Sequence, residues 1–103
     1  MTKKFENTGL SLQNMKAIQD VFLKFPKVKE VVLYGSRAKG NYHNGSDIDL
    51  SIMNSDIEFS YLLKIENSLD NIMLPYKIDL SFFPNIKNRE LKDHIERVGI
   101  PLI

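Results

Sequence analysis

The chain has 103 residues, a formal net charge of +1 and no cysteine. That length suits one domain, read as residues 1–103, able to bury roughly 60–70% of its unfolded surface. Scattered basic residues and near-neutral charge give no field to gather DNA or RNA, and the missing thiols exclude disulfides and thiolate metal sites and fit a cytoplasmic protein.

Met1-Thr2-Lys3-Lys4-Phe5-Glu6 leads into no apolar run, so no signal peptide is expected. Nothing approaches the ~20 apolar residues of a membrane span. Residues 1 to 10 read as a polar, frayed segment apart from Phe5 and Leu10. Ser11 is a candidate N-cap. Met15, Ile18, Phe22 and Phe25 then recur at helical spacing, with Leu12 and Val21 widening the stripe, and Pro26 ends the helix. Val28 to Tyr34 reads as a first strand ending at Gly35. The basic loop from Ser36 to Ser46 has room for a helical turn over Arg37-Ala38-Lys39, and Asn44-Gly45 marks a turn before a second strand. So short a connection makes the two strands antiparallel neighbours, with Ser36 beside Asp47.

Ser55-Asp56-Ile57-Glu58 fits a capping box. The helix it opens runs to about Met73, with Phe59, Leu62, Leu63, Leu69, Ile72 and Met73 facing inward. Pro75 stops it, and Tyr76 to Phe83 is a third strand. Strand, helix, strand in one sheet implies a right-handed crossover and a parallel pair. Asn88 caps a last helix carrying Leu91, Ile95 and Val98, with Gly99 at its C′ position. The apolar Ile100 to Ile103 packs back onto the domain or onto a partner. The fold class is α/β (α+β): a small mixed sheet of three main strands with flanking helices, the strands of Leu33, Leu50 and Leu80 adjacent in that order and the helices mainly on one face.

The chemistry gathers around residues 33 to 52. Successive strand side chains alternate, so Asp47 and Asp49 share one face and Ile48, Leu50 and Ile52 the other. Two carboxylates so close repel unless a cation lies between them, and oxygen ligands suit Mg²⁺ or Mn²⁺. Gly35 permits a sharp turn and close approach of a ligand, and Ser36 offers a hydroxyl and an N–H to a phosphate, near a helix N-terminus. Ile78-Asp79-Leu80-Ser81 repeats Ile48-Asp49-Leu50-Ser51. In a parallel pair that register sets Asp79 beside Asp49.

Gly-Ser, ten residues, then Asp-x-Asp resembles the signature of the polymerase-β-type nucleotidyltransferases. Gly35-Ser36-Arg37-Ala38-Lys39-Gly40 and Ser46-Asp47-Ile48-Asp49-Leu50 resemble the loop and strand of their small MNT members. The resemblance implies a nucleotidyltransferase fold. It also implies catalytic and metal roles for Asp47, Asp49 and Asp79, nucleotide binding at Gly35 and Ser36, two Mg²⁺ ions (Mn²⁺ as substitute) and ATP as substrate. It further implies a helical HEPN-family partner: the MNT protein acts as antitoxin by attaching AMP to a tyrosine of a HEPN toxin. An acceptor-binding domain of the kind larger relatives carry has no residues to spare here.

Two other readings stand beside this one. The chain could be the catalytic subunit of a two-component transferase acting on a small-molecule hydroxyl, or a non-catalytic module that holds nucleotide or masks a toxin. Arg37 and Lys39 read equally as triphosphate or partner contacts and as solvated loop charges. Tyr42 reads equally as a base-stacking residue and as a cover for the sheet end. His43 reads as a surface loop residue and His94 as part of a solvated helix face, among Lys92, Asp93, Glu96 and Arg97.

Overall fold

The computed structural model describes residues 5–54 and 56–103. Helix α1 spans Leu12–Leu23; the Ser11 side chain accepts the Asn14 N–H, and Met15, Ile18, Val21 and Phe22 are buried. Strand β1 is Val31–Tyr34, followed at once by the five-residue helix α2, Gly35–Lys39. Then come β2 (Ile48–Ile52), α3 (Phe59–Asn71), β3 (Ile78–Phe82), α4 (Arg89–Val98) and the two-residue strand β4, Ile100–Pro101. The Asn88 side chain caps α4 by accepting the Leu91 N–H.

The strands form one mixed sheet in the order β3-β2-β1-β4. β1 and β2 are antiparallel, β2 and β3 parallel, as the short loop and the α3 crossover require. The fourth strand pairs antiparallel with β1, so the apolar C-terminal segment packs on its own sheet. Gln19 of α1 donates to the Leu102 carbonyl and reinforces that closure. No helix among the described residues is long and apolar enough to cross a membrane.

Alternation sorts the side chains. Val31, Leu33, Ile48, Leu50 and Ile52 join the core beneath α1 and α3. Val32 and Tyr34 point the other way and pack with Ile95 of α4. Helices thus occupy both faces, α1 and α3 on one and α4 on part of the other. The uncovered remainder of that second face carries the aspartates.

Several local expectations shift. Phe5, Thr8 and Leu10 are buried, and the Thr8 hydroxyl donates to the Phe5 carbonyl, so residues 5–10 are a packed turn. Ser55 of the expected capping box lies outside the described residues. Helix α3 starts at Phe59, with Glu58 at the N-cap and no side-chain bond there. Its inward face runs through Leu62, Ile65, Leu69 and Ile72. Phe59 and Leu63, expected inside, are exposed because at 100° per residue they turn well away from Ile65, and Met73, also expected inside, is exposed because it lies past the helix end at φ +55°. Leu12 is exposed as well. Gly99 has φ −58°, not the left-handed value of a C′ glycine, and leads straight into β4.

The Ser51 hydroxyl is fully buried on the aspartate face and has no hydrogen-bond partner among the described residues. An unsatisfied hydroxyl costs desolvation without return. Ser51→Ala is therefore expected to hold or raise stability by about 1 kcal/mol in chemical denaturation. A loss of that size would mean the hydroxyl is satisfied in solution.

Candidate active site

The site begins where β1 becomes α2. Gly35 holds φ +78°, a conformation side-chain-bearing residues rarely adopt. A Cβ there would also collide with the Asp49 carboxylate. Glycine at 35 is thus required twice, by backbone angle and by the approach of Asp49. The pairing register sets Tyr34 opposite Asp49, and Asp49 opposite Asp79 on β3. Asp47 lies one step before β2 on the same face. Asp47 and Asp79 are exposed and Asp49 is half-buried. Asp49 thus lies against Gly35 and beside Asp79, with Asp47 two residues before it in the chain.

Electrostatics follow from that crowding. Asp49 is pushed up to about 6 from the usual carboxylate range, chiefly by burial, then by the charges of Asp79 and Asp47. Tyr34 beneath it is also raised, by burial first, with Asp49 and Asp79 adding to the effect; its hydrogen bond with Ser81 works the other way. Charge of one sign is thus held together against its own repulsion, which a cation would relieve.

A divalent ion is the natural counter-charge to these carboxylates. Among the described residues no three His, Cys, Asp or Glu side chains converge to hold one unaided. Mg²⁺ usually takes one or two carboxylates and completes its shell with substrate phosphates and water. An all-oxygen set of paired carboxylates beside the Gly35 turn fits that pattern. It does not fit an all-protein cage.

Two residues that sequence reasoning did not place turn out to build the site. Arg37 is fully buried. Its Nη1 donates to the Thr8 carbonyl at 2.7 Å, and its Nε and Nη2 to the Ser46 carbonyl at 3.2 and 3.0 Å. The guanidinium lies between the rings of Tyr42 and Tyr76, 5.0 and 4.6 Å from their centroids. It is neither a solvated loop charge nor free to grip a triphosphate. It clamps the loop just before Asp47. Tyr42 covers this clamp, whereas Lys39 and His43 are exposed.

The second is His94. Its Nε2 accepts the Gly35 N–H at 3.1 Å, and its ring meets Tyr34 edge-on at 6.1 Å. Burial, then the positive charges of Lys39 and Arg97, lower its pKa. The signal available in the sequence was its spacing, three after Leu91 and four before Val98, on the edge of the inward stripe of α4. The clamp of Arg37 had no local signal, since Tyr76 and Thr8 are remote in the chain.

Comparison with known proteins agrees with this geometry. Over 39 residues the chain is 38% identical to "Putative protein adenylyltransferase MJ0604" of Methanocaldococcus jannaschii, a stretch that is 38% of this chain and 38% of that protein. The match thus spans about two fifths of the curated relative's length. The fold is similar, at TM-score 0.70 and 23% identity, to a chain in a crystal structure of a toxin-antitoxin with AMP-PNP, covering 87% of this chain and 73% of that one. It is similar, at TM-score 0.69 and 20% identity, to a chain of a doubly substituted toxin-antitoxin MntA-HpeT, covering 87% and 72%. Residues 16–103, which hold the turn at Gly35 and all three aspartates, match the family described as "Polymerase beta, Nucleotidyltransferase". The chain belongs to the polymerase-β nucleotidyltransferase family.

Proposed function

We propose that this nucleotidyltransferase transfers AMP from ATP to a tyrosine of a helical HEPN-type toxin and so acts as its antitoxin. The observation that carries the chemistry is the register pair Asp49–Asp79, with Asp47 on the same face, against the Gly35-Ser36 turn. Asp47 and Asp49 would hold Mg²⁺, with Asp79 completing the carboxylate set. When bound, the ions neutralise triphosphate charge and lower the pKa of the attacking hydroxyl. Ser36 binds a phosphate oxygen through its hydroxyl. The acceptor oxygen bonds to the α-phosphorus, the bond to the bridging oxygen breaks, and pyrophosphate leaves. Asp79, exposed at the sheet end, takes the hydroxyl proton. Catalysis of this kind is mainly positioning and charge neutralisation.

Support for a protein acceptor comes from two directions. Asp47 and Asp79 lie open at the sheet end. Capture of a small molecule usually needs an enclosing pocket, whereas a protein can bind over a broad surface and present one hydroxyl. The comparison proteins bear names of protein adenylyltransferase and toxin-antitoxin.

The test uses purified protein, labelled ATP, Mg²⁺ and the product of a neighbouring gene. The expected result is a labelled partner with one or more AMP groups located on tyrosine by mass spectrometry. An unmodified partner together with adenylylated small hydroxyl compounds would replace this reading with the two-component small-molecule transferase. Nucleotide binding with no transfer to either would leave the masking module.

A further inference from the structure

We infer that His94 is a positioning residue that locks the nucleotide-binding turn from α4. The inference deepens the proposed function and rests on Gly35-Ser36 receiving the phosphates. The first N–H groups of a helix have no partner within it. The N–H of Gly35, which opens α2, is taken by a side chain 59 positions away on another helix.

That bond answers a specific need. Position 35 must be glycine to reach φ +78° with Asp49 against it. Yet glycine passes between positive and negative φ with little cost, so the residue the site demands is the one least able to hold the conformation. The imidazole supplies the restraint. It is itself held by α4, whose Ile95 is buried against Val32 and Tyr34 of β1, and by its edge-on contact with Tyr34. Tyr34, Gly35 and Ser36 are consecutive. Fixing the peptide at Gly35 therefore fixes the direction in which the backbone enters Ser36. His94 needs no contact with substrate to do this.

His94→Leu keeps the bulk and removes the acceptor; His94→Gln places an amide oxygen near the Nε2 position. Binding of a non-hydrolysable ATP analogue with Mg²⁺ is measured by calorimetry for wild type and both variants. The Gly35 amide is followed by ¹⁵N–¹H correlation spectra. The leucine variant is expected to bind roughly tenfold more weakly, the scale of one lost hydrogen bond. Its Gly35 amide should shift upfield, with the thermal midpoint near that of wild type. The glutamine variant should return affinity to within about threefold and restore the amide shift.

Equal affinity of wild type and the leucine variant would overturn the role of His94. So would a glutamine variant that keeps the Gly35 bond yet binds as poorly as leucine, since His94 would then touch the nucleotide itself. Failure of wild type to bind any nucleotide would instead overturn the proposed function on which the inference rests.

Discussion

Asp49→Asn is expected to abolish nucleotidyl transfer and, in the same protein, to raise the thermal midpoint measured with chelator at pH 7. The two effects share one cause. Burial and the neighbouring charges of Asp79 and Asp47 hold Asp49 at about 6, above its ordinary range. An acid raised on folding is a native-state liability wherever it must be ionised. The liability is full above pH ~6, shrinks as pH falls through that value, and is gone near pH ~4, where the unfolded group also protonates. The gain from asparagine should therefore be largest at neutral pH and vanish in acid. Mg²⁺ with nucleotide should stabilise wild type and leave the variant unmoved. The loss of transfer should be at least about 10³-fold, the scale of removing a preorganised electrostatic group. A variant less stable than wild type at pH 7 would mean the carboxylate is satisfied within the protein. A variant of unchanged activity would remove Asp49 from the chemistry.

Arg37→Met is expected to cost about 3 kcal/mol in chemical denaturation, a large share of a small domain's stability. The guanidinium is fully buried and makes three hydrogen bonds to two backbone carbonyls between two tyrosine rings. Hydrogen bonds from a charged donor exceed neutral ones, and cation–π contact adds to them away from water. Methionine fills the space but leaves the Thr8 and Ser46 carbonyls unpaired. Arg37→Lys should recover little, because an ammonium has no planar fork to span both carbonyls while lying between the rings. Transfer should fall as well, since Ser46 immediately precedes Asp47. A lysine variant as stable as wild type would show that charge alone, not the fork, holds the loop.

These two residues also mark the range of what the sequence discloses. Asp49 and Asp79 could be paired without coordinates because alternation and right-handed crossover are local rules applied to an exact echo, Ile-Asp-Leu-Ser. The caps at Ser11 and Asn88 were equally legible, since each acts on an N–H three residues on. Arg37 was not, because its partners sit at Thr8, Tyr42, Ser46 and Tyr76, and charge in a loop ordinarily means water. His94 was hidden by its charged neighbours on α4. The phase of α3 slipped for a related reason. Phe59 and Leu63 are apolar enough to suggest an inward face, yet the sheet selects the stripe through Ile65 and Leu69.

The placement of β1 bears on how the chain reaches this state. The strand that leads into the Gly35 turn is flanked by β2, which follows within one loop, and by β4, much later in the chain. The Gln19 amide meets the Leu102 carbonyl across 83 positions. Closing so long a loop carries a large entropic cost before any contact rewards it, so the rate of folding is set by topology more than by helix propensity. The hairpin of β1 and β2, joined by the loop that Arg37 ties shut, is the natural early unit. The docking of β4 is the natural late step. Contacts made after the transition state govern how fast a protein comes apart. The short C-terminal strand, whose Ile100 pairs with Leu33 two residues before Gly35, is then expected to limit how long the assembled turn survives.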